Sequence, residues 1–239
     1  MDFDGKKVVV IGGTSGIGHA VARRAQAQGA QIVVASSSPE RVAKARQAFS
    51  NSVEAHAVDV KDEAQVAAFF AGIGGFDHLV YTAGDWGGAM GGAALDTLDL
   101  ARAGGVFAVR FWGALAAVKH AHKQMRAGGS ITLTDGMVAH RPRKGAAVST
   151  AMAGAIEHLV RGLAVDLAPL RVNAVCPGYI ATDIWATLPE DVRKASLRVT
   201  ERYPVPRAGE PDEAAEAYLM RGGYTTGQVL YVDGGMGLV

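Results

Sequence analysis

The stretch KVVVIGGTSGIGHAVARRAQAQGAQIVVASSSPERV, residues 7–42, decides the fold. A short apolar run, VVVIG (8–12), feeds a glycine turn from Gly12 to Gly18, and a helical pattern begins at about Ile17. A second apolar run, QIVVAS (31–36), follows that helix, and another helical pattern follows it. The same alternation continues to the end of the chain. EAHAVDV (54–60), DHLVYTAG (77–84), SITLTD (130–135), RVNAVCPG (171–178) and VLYVDGG (229–235) complete a set of seven expected strands. Between them, HAVARRAQAQ, ERVAKARQAF, EAQVAAFFAG, the long stretch 98–126 and 147–168 return apolar residues every three or four positions, the spacing of helices. Near-continuous apolar strands separated by helices require a parallel sheet covered on both faces. Right-handed crossovers make it an α/β doubly wound (Rossmann-type) seven-stranded sheet, with its binding crevice at the carboxyl ends of the strands. No linker, repeat or low-complexity block interrupts residues 1–239, so a single domain is expected. WGGAMGGAA (86–94) and 184–207 are the only stretches that read as loose.

Composition narrows the function. A chain of 239 residues, 49% hydrophobic and 20% charged with 31 glycines, can bury a sizeable core and has many tight turns. A net charge of +1 gives no footprint for nucleic acid or an acidic membrane. The single cysteine, Cys176, rules out an internal disulfide and leaves the cytoplasm as the default compartment. The start, MDFDGKKVVVIGG, places acids and lysines before a strand-length run, unlike a signal peptide. No unbroken apolar run reaches the roughly 18 residues expected of a membrane span. No residue is assigned to a metal.

The glycine turn has a chemical use. Glycines let the backbone bend sharply and come close to a pyrophosphate, whose charge is attracted by the N-terminal N–H groups and dipole of the following helix. Strand, turn and helix stand here in the order that use requires.

In these motifs the sequence resembles the short-chain dehydrogenase/reductase family. The resemblance covers nearly the whole chain. It is carried by Gly12-x-x-x-Gly16-x-Gly18, Asp59-Val60, Ala83-Gly84, RVNAVCPGYIATD (171–183) and TGQVLYVDGG (226–235), in order and at the family's approximate spacing. It implies that Gly12, Thr14, Ser15, Gly16 and Ile17 line a pyrophosphate, Asp59 and Val60 embrace an adenine, and Ala83 and Gly84 flank the ribose nearest the nicotinamide. Pro177, Gly178, Ile180 and Thr182 would hold the nicotinamide end. Read without the family, Asp59 is a solvated strand end and Thr182 a helix N-cap.

The end of the second strand chooses between cofactors. A carboxylate there would repel a 2′-phosphate. This chain has Ser36, Ser37 and Ser38 followed by Arg41, which favours NADP over NAD. Ser38 before Pro39 also reads as an N-cap with the first helical residue, and both uses are compatible.

The family's chemistry depends on an asparagine, a serine, a tyrosine and a lysine. Aligned on Gly129-Ser130-Ile131 upstream and Asp166, Arg171-Val172-Asn173 and Pro177-Gly178 downstream, those positions fall on Arg110, Gly136, Ser149 and Ala153. A one-residue slip restores none of them. A serine hydroxyl is far less acidic than a phenol of pKa about 10 and stops short of its reach. Asp135 and His140, which follow strand five, are the candidate replacement acids, and Arg110 and Tyr179 could approach the same pocket. The run Arg141-Pro142-Arg143-Lys144 reads as a solvated loop or as a reception point for an anionic substrate.

The resulting expectation is an NADP(H)-binding oxidoreductase with a non-standard catalytic site, acting on a small carbonyl, enone or imine. The alternative is a catalytically inactive cofactor-binding protein that serves as nucleotide sensor or partner subunit. A homo-oligomer is expected from the family's habit of pairing two long helices, here 98–126 and 147–168. Ala114, Ala116, Ala117, Ala151 and Ala155 would permit their close approach.

Overall fold

The computed structural model describes residues 3–49, 52–84, 94–218 and 222–239. Strands β1 (Lys7–Ile11), β2 (Gln31–Ser36), β3 (Glu54–Ala57), β4 (Phe76–Tyr81), β5 (Met125–Thr134), β6 (Arg171–Pro177) and β7 (Val229–Val232) form one sheet in the order β3-β2-β1-β4-β5-β6-β7. Every pairing is parallel. Strand order reverses between β1 and β4, the topological switch point where crevices form in such sheets.

Alternation within each strand explains why the apolar runs are nearly continuous. Val8 and Val10 of β1 join Ile32 and Val34 of β2 in a core on one face, while Val9, Ile11, Val33 and Ala35 join a second core on the other. The first core contains side chains of α1 (Gly16–Ala27), α2 (Pro39–Ala48) and α8 (Pro211–Tyr218), and the second those of α3 (Glu63–Ile73), α5 (Ala114–Ala121) and α6 (Ala147–Asp166). Both faces are covered, which keeps most strands apolar, while Ser130, Thr132 and Thr134 of β5 are buried polar exceptions that alternate with Ile131 and Leu133.

Local chemistry sets several boundaries. The Ser38 hydroxyl accepts the Arg41 N–H at 3.2 Å and Pro39 occupies the first turn, so α2 starts where the Ser-Pro pair requires. Asp62 caps α3 by accepting from Ala64 N and Gln65 N at 3.0 and 3.2 Å. Asn173, fully buried in β6, donates to the Thr225 carbonyl at 2.9 Å and accepts from Gln228 N at 3.1 Å. That side chain fastens β6 to the turn that launches β7.

Two expectations need correction. The stretch 98–126 is not one regular helix: a short α4 (Leu100–Ala103) is followed by a π-helical turn at Ala108–Gly113, then by α5. Within that turn the Tyr81 hydroxyl donates to the Val109 carbonyl at 2.5 Å, and a β-carbon on Gly113 would meet the same hydroxyl at 2.6 Å. The helix thus changes pitch where it crosses the β4 end. The stretch 184–207 is not simply loose, because it contains α7 (Glu190–Thr200). The other loose stretch, 86–94, lies outside the described residues except for Ala94.

By length and composition, Leu100–Gln124 is the one helical stretch among the described residues that could cross a membrane, with a mean hydropathy of 1.2 over its most apolar window. Arg102, Arg110 and Lys119 interrupt it, so a search for unbroken apolar sequence passes over it. Here its Ala114, Ala117, Val118 and Ala121 are buried in the core beside the sheet. Ala114 and Ala117 are therefore spent inside the protomer and cannot form the helix pairing expected of them, whereas Ala151 is exposed.

Candidate functional site: a cleft at the switch point

A cleft of about 710 Å³ opens at the carboxyl ends of the strands. Its floor begins with the glycine turn. Gly12 has a φ of +86°, and a β-carbon there would lie 2.6 Å from Ala83 N and 2.7 Å from Thr82 Oγ1. A β-carbon on Gly18 would lie 2.3 Å from the same hydroxyl and 2.4 Å from the Gly12 carbonyl. These two glycines bring α1 against β4 and leave the first turn of α1 facing the cleft, with Thr14, Ser15, Gly16 and Ile17 in its wall. Ser15 stands at the N-cap, and its side chain closes no cap bond to its own helix.

The remaining expected residues converge on the same cleft. Ser36, Ser37 and Arg41 line one end, followed by Asp59 and Val60, then Ala83 and Gly84, and finally Pro177, Gly178, Ile180 and Thr182. The exception is Ser38, whose hydroxyl is engaged as the α2 cap and which does not line the cleft. The sequence reading missed Lys44 and Lys61, which also line it. Lys44 lies three residues after Arg41 on α2, a spacing that puts both cations on one helical face and could have revealed it. Asp59 accepts from Lys61 N at 3.0 Å and takes Gln65 Oε1 on its own N–H at 3.1 Å, so its loop is fixed. Thr182 precedes a 3-10 turn (Asp183–Thr187) without a side-chain cap bond, and its methyl carbon lies 3.3 Å from where a Gly16 β-carbon would stand.

At the inner end of the cleft a cavity of about 40 Å³ is lined by Arg110, Asp135, Gly136, Ser149 and Ala153, with Val106, Thr134, Val138 and Met152. Residues from the π-helical turn, the β5 end and α6 thus share one small space. Arg110 also lines the large cleft. Its guanidinium packs on Gly84, and Nη1 donates to the Asp135 carbonyl at 3.5 Å. Tyr179 and Tyr218 line the cleft as well. The Tyr179 ring stacks on Trp185 with centroids 4.5 Å apart. The Tyr218 hydroxyl lies 2.9 Å from Thr134 Oγ1, and burial drives it above the usual phenol range.

Asp135 is the most perturbed carboxyl of the site. Its side chain is fully buried, and among the described residues neither carboxyl oxygen closes a well-formed hydrogen bond. Burial first, and then the facing Glu157 carboxyl, push its pKa up to about 8; the nearby Gly136 N–H and Cys176 thiol only partly oppose them. The group is therefore an uncharged carboxylic acid at neutral pH. His140 lies behind it: His140 Nε2 is 4.0 Å from Asp135 Oδ2, contacts Glu157 Oε1, and lies 3.0 Å from the Tyr231 hydroxyl. His140 lines neither cavity. Asp135, His140 and Cys176 bring one possible metal-ligand atom each within 4.8 Å, a grouping the sequence reading did not foresee. The Cys176 thiol is held in its protonated form by burial and by Asp135, and the ring nitrogen is already engaged, so the donor set suits hydrogen bonding better than a cation.

Comparison with known proteins agrees with this architecture. Residues 12–237 match the family model described as enoyl-(acyl carrier protein) reductase. The short-chain dehydrogenase/reductase malC of Malbranchea aurantiaca is 32% identical over 252 residues, covering 97% of this chain and 94% of that protein. The chain belongs to the short-chain dehydrogenase/reductase family. Among solved structures of the family, a small-chain dehydrogenase in complex with NADPH is 36% identical, with a TM-score of 0.84 and coverage of 98% of this chain and 99% of that one. The MalC reductase/Diels-Alderase from Malbranchea aurantiaca is 33% identical, with a TM-score of 0.90 and coverage of 99% and 97%.

Proposed function

We propose that this short-chain dehydrogenase/reductase is an NADP(H)-dependent oxidoreductase that reduces a small carbonyl, enone or imine, with Asp135 in the role the family gives to tyrosine. The carrying observation is the uncharged, buried Asp135 in one cavity with Arg110, Gly136, Ser149 and Ala153. Those four are the residues that the family alignment places at its asparagine, serine, tyrosine and lysine. A carboxylic acid that stays protonated to about pH 8 can hand over a proton at neutral pH, which an ordinary aspartate cannot. Arg110, the one cation at the seam between cleft and cavity among the described lining residues, faces negative charge that grows on the substrate.

The cradle fits a dinucleotide. Gly12 and Gly18 leave no space for side chains but admit a pyrophosphate beside α1, and Ser37, Arg41 and Lys44 would take the 2′-phosphate. The complex of a relative with NADPH supports the same choice. When bound, the nicotinamide supplies or receives the hydride. Pro177, Gly178, Ile180 and Thr182 would orient it.

Stopped-flow oxidation of NADPH across aldehyde, ketone, enone and cyclic imine panels tests the reading. Turnover on one class, lost in D135N, is expected. NADPH binding with no turnover on any class would leave a binding protein in its place.

A further inference from the structure

Behind the cavity, side-chain exposure rises in steps along a row of proton-carrying groups. The Asp135 side chain is 0% exposed, that of Glu157 10% and that of His140 31%, and Tyr231 at the end of the row is 46% exposed. Four separate elements contribute: the β5 end, the 3-10 turn that precedes His140, α6 and β7. Glu157 Oε1 is in direct contact with His140 Nε2, which also meets the Tyr231 hydroxyl at 3.0 Å. The two rings pack edge to face, with centroids 4.8 Å apart, which fixes the imidazole. The remaining groups around the row are Cys176 of β6, whose Sγ faces the Met137 sulfur at 3.5 Å, Arg161 with Nη2 4.0 Å from Glu157 Oε2, and Asp233 after β7.

We propose that Glu157 and His140 form a proton relay that recharges Asp135 from solvent by the rear of the site, independently of the cleft. The inference rests on the reading of Asp135 as proton donor. In each cycle the Asp135 O–H bond breaks as its proton passes to the substrate. A new O–H bond then forms on Asp135 as Glu157 gives up a proton, and Glu157 recovers one from His140 Nε2. Nε2 is reprotonated by the Tyr231 hydroxyl, which in turn takes a proton from water, so every group returns to its starting form and no oxidant, reductant or further reactant is consumed. The arrangement answers a specific need. A carboxylate left at Asp135 has no exposed surface of its own, and recharging it through the cleft would have to wait for product to leave. Glu157 faces Asp135 and contacts His140, whose Nε2 lies 4.0 Å from Asp135 Oδ2, and the two line neither cavity, which separates their task from substrate binding.

Rapid mixing of the whole protein into D2O, followed by infrared spectroscopy of the protonated-carboxyl band at pH 6, tests the relay without a substrate. The band must vanish in D135N; a wild type lacking it shows that Asp135 is ionised and removes the underlying reading. With the band present, its H-to-D exchange is expected to slow at least tenfold in His140→Ala and in Glu157→Gln. Millimolar imidazole should restore the first variant but not the second. Unchanged exchange in both folded variants overturns the relay while leaving Asp135 as the donor. Stoichiometric bound metal in native mass spectrometry of the wild type would overturn it as well.

Discussion

The Arg110 guanidinium packs on the backbone of Gly84: a β-carbon there would lie 2.6 Å from Nε and 2.7 Å from Cζ. Arg110 comes from the widened turn that crosses β4, and Gly84 follows the β4 end, so the contact ties the cation to the wall of the cofactor cleft. Gly84→Ala should displace the flexible guanidinium rather than unfold the protein. Arg110→Met removes the charge and keeps most of the stem. Turnover is expected to fall about 10²–10³-fold in R110M, the range for losing one oxyanion-facing group, with G84A intermediate. Calorimetric NADPH affinity should change far less than kcat. Equal losses in both would assign Arg110 to the cofactor alone.

Asp135 makes both activity and stability depend on pH. Its carboxyl stays protonated to about pH 8 in the folded protein, whereas an aspartate in the unfolded chain titrates near 3.8. Between those values the folded state holds a proton the unfolded chain has released, so stability falls as pH rises from about 4 to about 8. Asp135→Asn, which cannot ionise, should flatten the decline of Tm across that window. The rate of substrate reduction should fall as pH rises through about 8, because the donor must be protonated. In D135N the residual rate should lie about 10²–10⁴-fold lower and lose this limb. A wild-type rate independent of pH from 6 to 9 would exclude Asp135 as the donor.

Arg41 and Lys44 give the adenosine end of the cleft its positive charge. Charge-assisted hydrogen bonds contribute about 1.5–3 kcal/mol each. Arg41→Ala should therefore weaken NADPH roughly 10- to 100-fold while leaving NADH nearly unchanged, as read by fluorescence titration of the two nucleotides. An equal loss for both would place Arg41 away from the 2′-phosphate.

Gly18→Ala puts a methyl group 2.3 Å from Thr82 Oγ1 and 2.4 Å from the Gly12 carbonyl, where backbone must move. Overpacking of this kind costs about 1–3 kcal/mol. Lower Tm together with lost nucleotide affinity is expected. A variant that keeps both would show that the glycine turn is looser than its geometry.

The buried Asn173 side chain holds the Thr225 carbonyl and the Gln228 N–H of the turn before β7. Asn173→Leu leaves both without a partner, at a cost of about 1–3 kcal/mol for each. Chemical denaturation should show the loss, and hydrogen exchange should show β7 opening first.

The sequence by itself determined the parallel sheet, its seven strands and most of the cleft. Both faces of the sheet are buried, so period and turn chemistry leave only one layer arrangement open, and glycines between a strand and a helix have few other uses. Gly12 through Ile17, Asp59 and Thr182 were visible because the resemblance aligns local motifs, each carried by neighbouring residues. Tertiary structure alone decided the rest. Arg110 enters the site through a change of helical pitch that Tyr81, far away in sequence, helps to fix. Ala114 and Ala117 are taken up by the core, which periodicity could not distinguish from an outer face. Asp135 is an unusually weak acid only because water is excluded from it and Glu157 faces it from another element. A pKa is set by the surroundings of a group rather than by its neighbours in the chain.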